Sequence, residues 1–179
     1  MILLYLLLIF VIFLLLAIIL GFTFFVVDTF LDLPYVATKK EKVATIITLA
    51  NIKPRQTVID LGSGDGRLLF ASAQKGARAI GYEINPYLVL FTRIKSKILK
   101  EKRVVVKKQS LWNANLKTAD VIFVYGRGKT MKRFEDFVFK NAKKGARIIV
   151  NTDLTKPFPT KRPIKSEKGI YLYSVSQIY

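Results

Sequence analysis

Seven consecutive residues, Asp60-Leu61-Gly62-Ser63-Gly64-Asp65-Gly66, carry the clearest chemistry in the chain. Glycines at alternate positions let a backbone turn sharply and approach a ligand with no Cβ in the way. Thr57-Val58-Ile59 just before them is rich in β-branched residues, so the loop follows a short strand. A helix after the loop would aim its N-terminus at whatever the loop holds. A dinucleotide loop of the form G-x-G-x-x-G would place its third glycine at position 67, which is Arg67 here. The spacing is instead G-x-G-x-G, with an acid two residues ahead of it. The next well-placed carboxylate is Glu83, one helix and one strand downstream. At the end of a second strand it can accept hydrogen bonds from two adjacent hydroxyls, while Asp60 can help hold a cationic group directly or through water.

These groups need a scaffold that ends strands side by side. Thr38-Lys39-Lys40-Glu41 reads as a capping box, followed by an apolar helical face of Val43, Ile46, Ile47 and Ala50 that Pro54 stops. Strand residues 57–61 enter the loop, a helix runs from near Gly66 to Gly76, and a second strand covers 77–84. Asn85-Pro86 gives an N-cap with proline at the first helical position, opening a helix to about Lys100. Val104-Val105-Val106 marks a third strand. Residues 120–125 form a fourth, apolar enough to be buried on both faces. Phe134, Phe137 and Val138 mark a helix closed by Gly145, and 147–151 form a fifth strand. Residues 169–179 read as a final strand, pairing with 163–166 as a hairpin, and 155–168 as a surface loop. Strands alternating with helices predict an α/β, mostly parallel, doubly wound sheet with an antiparallel C-terminal strand. Such sheets bind ligands at the carboxyl ends of their strands, at the switch point.

The first 27 residues contain no charged side chain. At about 1.5 Å per residue they can cross a hydrocarbon layer of roughly 30 Å with some tilt. A cleaved signal peptide fits poorly, because no basic stretch precedes the apolar run and no small-x-small site closes it. The expected organisation is a transmembrane helix over 1–27, a linker over 28–37 and a catalytic domain over 38–179. Lys39, Lys40 and Lys42 flank the helix on its C-terminal side, which predicts a single-pass membrane protein with its domain in the cytoplasm.

Three stretches carry a family resemblance: Pro34-Tyr35-Val36-Ala37-Thr38, Asp60 through Arg67, and Gly81-Tyr82-Glu83-Ile84-Asn85-Pro86-Tyr87-Leu88-Val89. Together they resemble class I S-adenosylmethionine-dependent methyltransferases, and among these the lysine methyltransferases of the ATP-synthase c-subunit and the adenine-nucleotide translocase. The likeness runs from about Pro34 to Pro159. It implies a Rossmann-like domain with S-adenosylmethionine as cofactor, whose ammonium suits Asp60 and whose ribose hydroxyls suit Glu83. It implies cofactor contacts from Asp60, Gly62, Ser63, Gly64 and Asp65 in the loop and from Glu83. Tyr35 and Thr38 correspond to a segment closing over the methionine end. The family's Asp-Leu-Trp after the third strand is Ser110-Leu111-Trp112 here, so Ser110 takes the adenine-binding place without the charge. After the fourth strand Tyr125-Gly126-Arg127-Gly128 is more basic than the family's loop. Tyr35, Tyr125 or a nearby carboxylate is expected to orient an acceptor amine, and the sequence does not choose among them.

Composition narrows the chemistry further. With no cysteine and no histidine, thiol nucleophiles, disulfides, His-ligated zinc and Ser-His-Asp triads are excluded, and no metal is expected. Thirty Lys and Arg against 12 Asp and Glu give a net charge of +18. With an apolar helix in the same chain, that charge points to anionic lipid headgroups before nucleic acid. Amino-base methylation would want an Asn/Asp-Pro-Pro-aromatic run where Tyr125-Gly126-Arg127 stands. The expected reaction is methylation of lysine on a membrane-associated protein. The alternatives are a small-molecule, lipid or RNA methyltransferase, or a non-catalytic cofactor-binding module.

Overall fold

In the computed structural model, which describes residues 1–29, 35–128 and 130–175, the chain divides into two units, Met1–Tyr35 and Val36–Tyr179. The first is helix α1, Ile2–Thr29. Its stretch Ile2–Val27 has a mean hydropathy of 3.5, none of it buried, and is long and apolar enough to cross a membrane. The linker expected over 28–37 includes residues 30–34, which lie outside the described residues.

The second unit is built on one sheet of seven strands: β1 (Thr57–Leu61), β2 (Arg78–Glu83), β3 (Val104–Lys108), β4 (Val121–Tyr125), β5 (Arg147–Asn151), β6 (Lys165–Glu167) and β7 (Ile170–Ser174). Their order is β3-β2-β1-β4-β5-β7-β6. The first five are parallel, β7 runs antiparallel to β5, and β6 antiparallel to β7. This is the Rossmann-like arrangement with an antiparallel C-terminal strand. Residues 176–179 of the expected final strand lie outside the described residues. The helices are α2 (Lys40–Ala50), α3 (Arg67–Gln74), α4 (Pro86–Ile98) and α5 (Thr130–Asn141).

Burial explains the strand sequences. Central β4 is Val-Ile-Phe-Val-Tyr with its first four residues buried, as a strand covered on both faces requires. Ile46, Leu49 and Ala50 of α2 pack with Val58, Leu68, Val121, Phe123 and Ile149. Leu69, Phe70 and Ala73 of α3 pack with Ala79 and Val104. The Arg147 guanidinium donates to the carbonyls of Ala50 and Asn51 and, at 2.7 Å, to Gln56 Oε1, fastening the end of α2 to β5.

Three local expectations need correction. The capping box does not form. Lys39 is the N-cap of α2 and its side chain makes no capping bond. The first helical bond runs from the Val43 N–H to the Lys39 carbonyl at 3.0 Å, so α2 starts one residue later than a Thr38 cap requires; the Thr38 carbonyl accepts from the Arg67 guanidinium. Nor does Pro54 stop α2. Asn51 ends it in a left-handed conformation at φ 45°, a role asparagine tolerates. Finally, residues 155–168 are not simply a surface loop. Phe158 is fully buried, 4.7 Å from the Tyr173 ring and 6.0 Å from that of Phe139. Buried Glu135 of α5 accepts from the Thr160 backbone at 3.2 Å, and β6 occupies the segment's end.

Candidate functional site

β1 lies between β2 and β4, where the chain's path across the sheet reverses, so a crevice forms at its carboxyl end. The glycine loop turns there through three left-handed glycines, Gly62, Gly64 and Gly66, at φ +90°, +54° and +77°. An L side chain would be strained at each. Four of the loop's amides are spent on the protein itself. Gly62 and Ser63 donate to the Tyr82 carbonyl at 2.9 and 3.2 Å, and Gly66 donates to the Ser63 carbonyl at 2.9 Å. Gly64 donates to Glu83 Oε2 at 2.8 Å. A phosphate cradle needs such N–H groups free. With these four engaged, the main polar resource of the loop is carboxylate.

Glu83, nearly buried at the end of β2, is the keystone. Its Oε1 accepts from the amides of Ile84 and Asn85 at 2.9 and 2.8 Å, while Oε2 holds Gly64. One carboxylate so ties the loop to the turn that starts α4, where Asn85 Oδ1 caps Tyr87 N–H at 3.0 Å. A carboxylate has about four lone-pair directions, so acceptor capacity remains for a ligand hydroxyl. Gly81, beneath, makes this fit possible. A Cβ there would lie 2.6 Å from Ser63 Cβ and 2.7 Å from Leu69 Cδ1. A Cβ on Gly66 would lie 2.8 Å from Thr92 Cγ2.

The two aspartates of the loop have opposite characters. Burial pushes the Asp60 carboxyl well above its usual range, and the neighbouring carboxylates of Glu83 and Asp65 push it the same way. A cation at this point would relieve both effects. Asp65 is half-buried, which works against its charge. Hydrogen bonds from Arg67 (Nη2 at 2.6 Å, Nε at 2.9 Å and backbone N–H at 3.2 Å) outweigh that and hold its carboxyl below the ordinary range. Arg67 thus joins Asp65 to Thr38. In the sequence it stood out only as a missing glycine.

The remaining expected residues fall in three places. Ser63 turns its hydroxyl into the protein against Gly81, buried and without a hydrogen-bond partner among the described residues. Ser110 accepts from Trp112 N–H at 3.4 Å and caps the single 3-10 turn Leu111–Asn113. That turn adjoins the loop, since Leu111 Cδ2 would be 3.8 Å from a Cβ on Gly62. Trp112 is fixed between the Phe134 ring at 4.7 Å and the Arg133 guanidinium at 3.9 Å, which ties the segment after β3 to α5. Tyr125 ends β4 in register with Asn151 of β5, and its hydroxyl accepts from Arg127 Nε at 2.9 Å. Lys42 of α2 donates to Asn151 Oδ1 at 3.3 Å and pairs with Asp153 at 3.5 Å. No sequence signal links Lys42 to Asn151. Tyr35 belongs to the N-terminal unit. Among the described residues no cluster of three or more acids is placed to hold a metal ion.

A model of the ANTKMT methyltransferase domain matches residues 60–155. The adenine nucleotide translocase lysine N-methyltransferase of Mus musculus is 31% identical over 136 residues, covering 75% of this chain and 58% of that protein. The ATP synthase c-subunit lysine N-methyltransferase of Homo sapiens is 27% identical, covering 73% of this chain and 55% of that protein. The chain thus spans a little over half the length of these relatives. Among solved structures, an RNA methyltransferase from Salinibacter ruber in complex with S-adenosyl-L-homocysteine superposes with a TM-score of 0.73 at 25% identity, covering 80% of this chain and 96% of that one. The matched stretch begins at Asp60 and takes in the glycine loop, Glu83 and the sheet through β5, and the chain belongs to the ANTKMT methyltransferase domain family.

Proposed function

We propose that this protein binds S-adenosylmethionine in the crevice at the end of β1 and transfers its methyl group to a lysine of a protein in or against a membrane. The observation that carries the cofactor reading is the pairing of spent loop amides with buried carboxylates. That set suits a ligand with an ammonium and a hydroxyl better than a diphosphate. S-adenosylmethionine, when bound, supplies an electrophilic methyl on a sulfonium. Asp60 would hold the ammonium, with Gly62, Ser63, Gly64 and Asp65 lining the loop beside it. Glu83 would accept from a ribose hydroxyl with its remaining acceptor capacity, and Ser110 would lie toward the adenine. Thr38, fastened by Arg67, would cover the methionine end.

The acceptor side belongs to the ends of β4 and β5. A lysine amine must lose its proton before it can attack, and a desolvated slot favours that loss. The Tyr125 hydroxyl, already oriented by Arg127, is the group we assign to receive and align the amine. Placing the amine and the methyl in line is the main service the protein performs.

The relatives named for lysine methylation support lysine as acceptor. The uncharged run Ile2–Val27 supports a single-pass anchor followed by a linker and the domain from residue 38. Lys39, Lys40 and Lys42 support a cytoplasmic domain, and the net charge of +18 supports contact with anionic headgroups. Two measurements test this. Calorimetry of the full chain should show binding of S-adenosylmethionine and none of NAD; the reverse preference ends the cofactor reading. Total membranes given labelled methyl donor should place label on protein lysine. Label in lipid or RNA alone would end the substrate reading.

A further inference from the structure

Helix α4 has two apolar faces, and the protein covers only one. Leu88, Val89 and Thr92 are buried against the sheet. On the opposite side Leu90, Ile94 and Ile98 follow one another at four-residue steps with Phe91 beside them, the spacing of a single helical face. These four side chains are 57%, 48%, 74% and 51% exposed in that order. The apolar surface continues onto Leu99 and onto Val105 of β3, an edge strand that pairs only with β2. Contiguous apolar surface of this kind marks an interaction site.

Its rim is cationic. Arg93, Lys97, Lys100 and Lys102 are exposed around it, and Lys95 lies 4.5 Å from the centre of the Phe70 ring. From Pro86 to Lys108 the single acid is Glu101, which Arg103 already pairs at 2.7 Å. A second copy of the chain would set these cations against its own. An apolar phase edged by negative charge fits both features, and the same chain carries a helix long and apolar enough to enter one. Long cationic side chains can lie over apolar surface while their heads reach phosphate.

We propose that the outward face of α4 is a second membrane contact. Leu90, Phe91, Ile94 and Ile98 enter the interface of an anionic bilayer, and Arg93, Lys97, Lys100 and Lys102 meet its phosphates. The proposal rests on the reading of α1 as an anchor and is separate from the methyl-transfer reaction. It restricts how the domain can tumble at the surface, which a single anchor does not.

The chain has no cysteine, so one introduced cysteine reports one position. Full-length Ile98→Cys and Lys144→Cys proteins, each bearing an environment-sensitive fluorophore, are placed in nanodiscs of phosphatidylcholine with about 30% phosphatidylserine. The label at position 98 should shift to the blue and be quenched by nitroxide-bearing lipid, while the label at 144 stays in water. Pure phosphatidylcholine should reduce the shift several-fold, and adding Leu90→Ser and Ile94→Ser should abolish it. A chain that sits in the disc with the label at 98 still in water overturns the proposal and leaves the anchor standing. So does a blue shift that ignores anionic lipid and tracks energy transfer between labelled chains, since a second copy would then cover the face. A chain that never enters the disc overturns the anchor and this proposal together.

Discussion

At the carboxyl ends of β1 and β2 the contacts run from backbone amide to carboxylate or carbonyl, within a stretch of sequence from Asp60 to Asn85. At the ends of β4 and β5 they run between side chains, locally for Tyr125 with Arg127 and from distant parts of the chain for Lys42 with Asn151 and Asp153. The first region is held by backbone amides paired with acceptors in the interior, where an amide left bare would be costly. The second is held by partly exposed pairs, which contribute little and can change without loss of the fold. A cofactor common to many enzymes and an acceptor particular to one would be served by these two kinds of construction.

Glu83 offers the hardest test of this contrast. Glu83→Ala strips the partner from three amides, those of Gly64, Ile84 and Asn85. Chemical denaturation should show a loss of about 3 kcal/mol or more, together with loss of S-adenosylmethionine binding. Glu83→Gln should lose less, because its amide oxygen still accepts from two of the three. An alanine variant as stable as the parent would mean that the loop is not held this way. Gly81→Ala comes next. Its Cβ would collide with Ser63 and Leu69, and overpacking of this kind costs roughly 1–3 kcal/mol. Ser63→Gly in the same protein should recover part of the loss, since the collision is with the Ser63 side chain.

Asp60→Asn should act in opposite directions on stability and on binding. The folded-state pKa of Asp60 is raised by burial and then by Glu83 and Asp65. Between the ordinary carboxylate range and that raised value, the folded chain holds a proton the unfolded chain has lost. Stability from this group therefore falls as pH rises through the window, by about 1.4 kcal/mol per pH unit where the difference is complete. Asn removes that slope, so the cofactor-free variant should unfold later than the parent above the window. It should also bind S-adenosylmethionine about 1.5–3 kcal/mol more weakly. In the parent, affinity for the cofactor should rise with pH across the same window, because the ammonium requires the carboxylate. A pH-independent affinity would remove Asp60 from the cofactor's contacts.

The smallest effect on cofactor affinity should come from Tyr125→Phe. It removes the hydroxyl that accepts from Arg127 and leaves the glycine loop untouched. Turnover on membrane protein should fall while the dissociation constant for S-adenosylmethionine stays the same. An equal loss in both would show that the two regions are not separate.

The sequence by itself determined the glycine loop, Glu83, the alternation of strands and helices and the turn into α4. Each rests on neighbours in the chain: φ > 0 at glycines, β-branched runs for strands, Asn85-Pro86 for a helix start. The uncharged opening run is equally local. Tertiary structure alone decided which local options were used. Thr38 could have capped α2, but the helix starts one residue later, with Lys39 at the cap. Residues 155–168 look soluble because Lys and Pro crowd them, yet one ring, Phe158, finds Tyr173 and is buried. Ser63 reads as a loop hydroxyl ready for a ligand, and only the closeness of Gly81 shows that it faces inward. Lys42 and its partners at the end of β5, Asn151 and Asp153, lie more than a hundred residues apart. A contact across that distance depends on the register of the whole sheet, which no short stretch of residues contains.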